Sequence, residues 1–212
     1  MEMHDVKSAY DRVATAYAKG FVNELDGKPL DRALLGAFAE LTRGEGRVLD
    51  LGCGPGQVAR YVADRGVDVV GVDLSPQMIV EARALHSSIP FRVSDMMSLD
   101  DADGSIAGIT AFYAIVHLAL ADVERAFREW RRVLVPGGRV LLSFHVGQER
   151  IHLDEFLGQA VSMTWTFHDQ KAIEALLERS GFVVDASLWR RGDAAVEHPS
   201  VRAYVLARAV VA

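Results

Sequence analysis

A short apolar run, Arg47-Val48-Leu49-Asp50-Leu51, ends in three glycines at alternate positions, Gly52, Gly54 and Gly56. A helical pattern carried by Val58, Ala59 and Val62 follows at once. Glycines at such a junction let the backbone turn sharply from strand to helix and pass close to a ligand. The next run, Val67 to Asp73, is β-branched and strand-like. Ser75 before Pro76 then supplies an N-cap with proline at the first helical position, opening a helix to about Leu85. A strand, a glycine turn, a helix and a second strand ending in a carboxylate make a βαβ unit, which commits the chain to a parallel sheet.

The punctuation continues to alternate. Phe91-Arg92-Val93 and Ile106 to Tyr113 read as strands. Asp122 to Leu134 reads as a helix, with Val123, Ala126, Phe127, Trp130 and Leu134 near 3.6 spacing. Pro136-Gly137-Gly138 breaks it, and Arg139 to Val146 is a fifth strand. Gln170 to Ser180 is a helix stopped by Gly181, and Phe182 to Leu188 and Val201 to Ala209 are two closing strands. No helical pattern separates those last two, so they suit an antiparallel hairpin at the sheet edge. The expected fold class is α/β, a Rossmann-like doubly wound sheet, mostly parallel with one antiparallel edge pairing. The 212 residues, 50% hydrophobic and 25% charged, form one domain without repeats or low-complexity tracts. It divides into an N-terminal helical cap (1–44), a cofactor-binding core (45–146), an acceptor-side insert (147–167) and a C-terminal helix with a strand pair (168–212).

A doubly wound sheet binds its ligand at the carboxyl ends of its first strands, where three features coincide. The glycine loop lets a ligand approach. Asp73, 17 residues past Gly56, ends the second strand where a carboxylate accepts hydrogen bonds from both hydroxyls of a ribose. Asp95-Met96, after the third strand, sets a polar group beside an apolar wall suited to an adenine ring. A nicotinamide dehydrogenase is the alternative within this fold, but its third glycine falls one position later, where Gln57 stands.

Three blocks together are similar to the signatures of class I S-adenosylmethionine-dependent methyltransferases: Val48-Leu49-Asp50-Leu51-Gly52-Cys53-Gly54-Pro55-Gly56, Val70-Gly71-Val72-Asp73-Leu74-Ser75-Pro76-Gln77-Met78 and Leu134-Val135-Pro136-Gly137-Gly138. The resemblance covers roughly Glu45 to Val146. It implies a seven-stranded sheet with one antiparallel strand and S-adenosyl-L-methionine as cofactor. It also implies that Asp50, Gly52 and Gly54 line the methionine end, that Asp73 holds the ribose, and that Asp95 with Met96 holds the adenine. Gly56, Leu74, Met78, Tyr113, Ala114 and His117 complete the expected cofactor shell. The implied reaction is in-line methyl transfer to oxygen or nitrogen of a small organic acceptor, in which positioning supplies much of the rate. The rival class is a cofactor-binding module that transfers nothing.

The acceptor is narrowed by what the sequence lacks. Cys53, the one cysteine, lies inside the cofactor loop, where a cytosine-directed nucleophile is out of place. Thr110 to Ile115 has no proline and so lacks the block of base-amino methyltransferases. Neither the seven histidines nor Asp100, Asp101 and Asp103 show metal-ligand spacing, so no metal is expected. Lys and Arg number 23 against 29 Asp and Glu, a net charge of −6, which argues against a phosphate backbone as partner. Arg125, Arg128, Arg131 and Arg132 read as the solvated side of their helix.

Val6, Tyr10, Val13 and Tyr17 have helical spacing, and Tyr10 and Tyr17 are expected to face the cofactor or acceptor. The insert carries His152, Phe156, Met163, Trp165 and Phe167, a composition suited to an apolar acceptor or a dimer contact. His145, at the end of the fifth strand, is the preferred base, with His117 beside the cofactor and His168 structural. The opening Met1-Glu2-Met3-His4-Asp5 shows no leader, and the longest apolar stretch, Ile109 to Ala121, is too short to span a bilayer. A cytoplasmic monomer or homodimer is expected.

Overall fold

In the computed structural model, residues 3–195 and 197–211 are described; Met1 and Glu2, on which the absence of a leader was partly read, lie outside them. Helix α1 (Met3–Phe21), a 3-10 turn (Glu24–Gly27) and α2 (Pro29–Thr42) precede β1 (Val48–Leu51). Then come α3 (Gln57–Ala63), β2 (Val69–Asp73), α4 (Pro76–Leu85), β3 (Phe91–Val93), β4 (Ile106–Phe112) and α5 (Leu120–Val133). The chain continues through β5 (Leu134–Val146), β6 (Arg150–Phe156), β7 (Gln159–Thr166), α6 (Gln170–Arg179), β8 (Phe182–Arg191) and β9 (Val201–Ala209).

Seven strands form one sheet in the order β3-β2-β1-β4-β5-β9-β8. The first five run parallel, and β9 is antiparallel to both its neighbours, so the antiparallel strand lies one place inside the edge. The order reverses between β1 and β4, and the crevice opens at their carboxyl ends. Amphipathic helices cover both faces. One face packs Val123, Phe127 and Trp130 of α5 and Ile173 and Leu177 of α6 against the sheet. The other packs Leu35 and Phe38 of α2, Val58 and Val62 of α3 and Ile79 of α4.

Strand β8 runs on to Arg191, past the expected Leu188, and two further differences from the sequence reading shape the sheet. Strand β5 begins at Leu134 instead of Arg139: Ile106 pairs with Leu134 and Gly108 with Arg139, so Pro136-Gly137-Gly138 is looped out as a bulge. Strand β4 stops at Phe112 because Tyr113 takes φ 55°, which turns the chain out of the sheet. The insert is a β6–β7 hairpin in a sheet of its own, turned through Leu157 (φ 53°) and Gly158 (φ 74°). It packs Val161 and Met163 onto Ala9, Val13 and Ala14 of α1, with Met78 beneath.

Candidate active site

The glycine loop is held from below and opens above. Asp50, almost wholly buried, accepts hydrogen bonds from the Ala59 N–H (3.0 Å) and the Thr110 hydroxyl (2.8 Å). Burial raises its pKa to about 7 against those two bonds. Its carboxylate therefore anchors the loop to α3 and β4 and does not line the cavity, which corrects the expectation for this residue. Gly52 (φ 66°) does line it, and a Cβ there would stand 2.8 Å from the Ala114 Cβ. Gly54 lines it as well and donates its N–H to Asp73 Oδ2 at 2.8 Å. Gly56 does not. Its missing Cβ leaves room for the Phe91 ring, 2.7 Å from where it would lie, so this glycine serves packing of α3 on β3. The Cys53 thiol is buried and pushed up in pKa by burial, which suits a packing role.

Above the loop lies a cavity of about 250 Å³. Asp73 reaches it from the end of β2, its Oδ1 accepting the Ser75 N–H at 2.8 Å. Burial raises the pKa of this carboxyl. Two backbone donors fix its plane, and its remaining lone pairs are open to a ligand. Leu74, Met78, Met96, Tyr113 and Ala114 also line the cavity. Asp95 does not: its Oδ1 caps the Met97 N–H at 2.9 Å in a local turn, leaving Met96 alone as the wall. Tyr10 and Tyr17 of α1 close the cavity over the loop.

His117 donates Nδ1–H to the Thr164 carbonyl (2.9 Å), so its Nε2 accepts from the Tyr10 hydroxyl (2.8 Å). This pair joins α1 to the segment after β4 and to β7. Burial lowers the His117 pKa to about 4. His145 bonds Ser200 Oγ through Nδ1 at 2.7 Å, and burial followed by the Arg202 charge lowers its pKa to about 3. Its ring stacks on Phe167 with centroids 5.1 Å apart and lies 5.0 Å from that of Tyr113. His168 is buried with Nε2 on the Ile115 carbonyl (3.2 Å), a structural tie.

Sequence reasoning missed the far end of the cavity, where Glu24, Lys28, Gln57, Glu197, His198 and Arg202 gather. None sits in a motif. The strand register alone sets Arg202 opposite His145. Alternation along β9 hinted that Arg202 faces one side of the sheet, without saying which. The arginines of α5 are engaged locally: Arg125 with Asp122, Arg128 with Glu124, and Arg132 with Glu129 and Asp103. Among the described residues, no three His, Cys, Asp or Glu side chains group as a metal site.

A family model described as a methyltransferase domain matches residues 48–138. The demethylmenaquinone methyltransferase of Thermus thermophilus is 30% identical over 178 residues, 71% of this chain and 80% of that protein. That of Beutenbergia cavernae is 33% identical over 144 residues, 66% of this chain and 58% of that protein. For other curated relatives the matched share of their length is 28%, 31% and 52%, so the chain spans about half of them or less. A protein solved in complex with the Haloferax volcanii Trm112 methyltransferase activator superposes with TM-score 0.75 at 22% identity, covering 98% of each chain. The chain belongs to the class I S-adenosylmethionine-dependent methyltransferases. The residues present fit that family's cofactor: a cradle at Gly52 that a Cβ would fill, and a fixed carboxylate at Asp73 facing the same cavity.

Proposed function

We propose that the chain transfers the methyl group of S-adenosylmethionine to oxygen or nitrogen of a small organic acceptor. The observation that carries this is the Asp73 carboxylate, held by Gly54 and Ser75 N–H groups on the wall of a cavity that is otherwise rich in aromatic rings. When bound, S-adenosylmethionine supplies a methyl already activated on a sulfonium sulfur. Asp73 takes the ribose hydroxyls, Met96 and Leu74 wall the adenine, and Gly52 and Gly54 admit the methionine end. Tyr10 and Tyr17 exclude water from above. His145 and His117 are neutral at pH 7, so neither adds a cation beside a sulfonium. In the tautomer that donates Nδ1–H to Ser200 Oγ, His145 Nε2 would accept a hydrogen bond from the acceptor's nucleophile and orient its lone pair. A pKa of about 3 makes it a poor store for that proton, so a nucleophile that is itself acidic is the better match.

The net charge of −6 and the local ion pairs of the α5 arginines favour a small-molecule acceptor over nucleic acid. Among the described residues, no helix is long and apolar enough to cross a membrane. The setting in this reading is cytoplasmic and the protein a monomer or homodimer, with α1 and the β6–β7 hairpin forming the cover of one domain, while α2 packs on the sheet.

Calorimetric titration with S-adenosylhomocysteine tests the reading, with NAD as the parallel ligand. Asp73→Ala is expected to weaken S-adenosylhomocysteine binding by about 1.5–3 kcal/mol, the scale of hydrogen bonds to a charged group. His145→Ala is expected to leave that affinity alone and to lower methyl transfer. Binding of NAD alone, or an unchanged dissociation constant for Asp73→Ala, refutes the cofactor site.

A further inference from the structure

Arg202 stands on β9 directly opposite His145, only 3% exposed, with its side chain on the cavity wall. A guanidinium has five N–H donors. Among the described residues one is spent, from Nη1 to the Ser200 carbonyl at 2.9 Å. Nε lies 3.1 Å from Glu197 Oε2, an ion contact, yet out of line for a hydrogen bond, and is a buried donor without an acceptor.

Glu197 is itself heavily engaged. Its carboxylate already takes both Arg190 Nη1 and Nη2 (the latter at 3.2 Å) and the Asp193 N–H at 2.9 Å. Lys28, equally sheltered, gives one hydrogen bond to Glu24 Oε2 and lies 3.8 Å from Glu197. Glu24's other oxygen is taken by Gln57 at 2.8 Å. Both oxygens of each carboxylate on this wall already have a partner, whereas among the described residues Arg202 and Lys28 keep N–H donors without one. Burying a cation with unmade hydrogen bonds is costly, and an anionic ligand relieves that cost.

The surroundings give the ligand its shape. The Tyr113 ring lies between the two cations, 5.8 Å from the Arg202 guanidinium and 5.5 Å from Lys28 Nζ. Its φ of 55° is a left-handed conformation that strains a bulky residue, as is typical of functional sites. Trp165, Phe156 and Phe112 continue the aromatic wall.

We propose that the methyl acceptor is a flat aromatic acid whose anionic oxygens are held by the unspent N–H donors of Arg202, with Lys28 beside them. The proposal rests on the methyl-transfer reading and adds its substrate class. The Asp73 end belongs to the cofactor and Arg202 to the acceptor, so the two are separable.

The test uses the full chain saturated with S-adenosylhomocysteine, titrated calorimetrically with 1-hydroxy-2-naphthoate and with its carboxamide. The carboxylate is expected to bind at least about tenfold tighter, the scale of a charge-assisted hydrogen bond. Arg202→Met is expected to reduce that preference to within about twofold while S-adenosylhomocysteine affinity stays unchanged, which also shows that the variant folds. Arg202→Lys, which keeps the charge, is expected to retain part of the preference. Three results overturn the proposal: equal binding of the two probes to the wild-type chain, binding of neither, or a loss of S-adenosylhomocysteine affinity in Arg202→Met as large as the loss for the carboxylate. The first two need no variant. Failure of S-adenosylhomocysteine to bind the wild-type chain overturns the methyl-transfer reading, and the substrate class with it.

Discussion

Asp50 shows how one buried carboxyl can govern the loop above it. Water does not reach it, two donors do, and burial wins: its pKa rises from 3.8 to about 7. The sign of the stability effect follows. Below about pH 4 the carboxyl is protonated folded and unfolded, and the fold has its full contribution. As pH rises the unfolded chain ionises first, so that contribution is lost through about pH 7. Asparagine can keep both bonds, accepting from the Ala59 N–H and donating to the Thr110 hydroxyl. Asp50→Asn is therefore expected to be nearly as stable as wild type at pH 5 and relatively more stable at pH 8. Urea denaturation at the two pH values measures the difference profile, in which the raised Asp73 carboxyl cancels. Parallel profiles for the two proteins would remove Asp50 as the source.

At the scale of elements, Ser75 joins two helices that meet nowhere in sequence. Its Oγ accepts the Met78 N–H at 3.1 Å, capping α4, and donates to Asp11 Oδ1 of α1 at 2.6 Å. Asp11 accepts the Gln77 N–H as well, and Thr15 bonds Glu81 at 2.6 Å. Ser75→Ala is expected to cost about 1–2 kcal/mol, the upper part of the range for a lost N-cap. It is also expected to quicken amide exchange in α1 more than in α5; equal quickening would mean that the bond to Asp11 does not hold α1 down. Half of this was legible. The cap, the proline behind it, Asp73 at the strand end and Tyr10 and Tyr17 on one helical face are local patterns, and local patterns survive in a sequence. Whether Gly56 faced a ligand or the Phe91 ring depended on which wall packed against it. Arg202 reached the site through a pairing with His145 across 57 positions, which no spacing rule records. Asp95 carries a second, local role: its Oδ1 accepts the Met97 N–H in an Asx turn.

For the molecule as a whole, the two large apolar clusters lie on either face of the sheet, and the cover over the cavity belongs to neither. Helix α1 and the β6–β7 hairpin share a third, smaller cluster of Ala9, Val13, Ala14, Met78, Val161 and Met163. Regions with little buried apolar surface open at lower free energy than the core. The Tyr10–His117 bond and the edge-on contact of those rings, 5.3 Å between centroids, tie this cover to the rest at the mouth of the cavity. A ligand on Asp73 touches sheet and cover together, so opening of either releases it. At a concentration of 100 Kd, S-adenosylhomocysteine is expected to add about 2.7 kcal/mol to global stability. Without ligand, amide exchange should be faster in α1 and β6–β7 than in α5, whose Val123, Phe127 and Trp130 are locked in the core; with ligand all three should slow by the same factor, because opening of the cover and global unfolding both release the ligand. Hydrogen exchange with and without the ligand reads both quantities. If α1 and α5 are equally protected before ligand is added, the cover opens only when the whole molecule unfolds and does not act as a gate to the cavity. If α1 and the hairpin start less protected and gain as much as α5, their opening releases the ligand and gates the cavity.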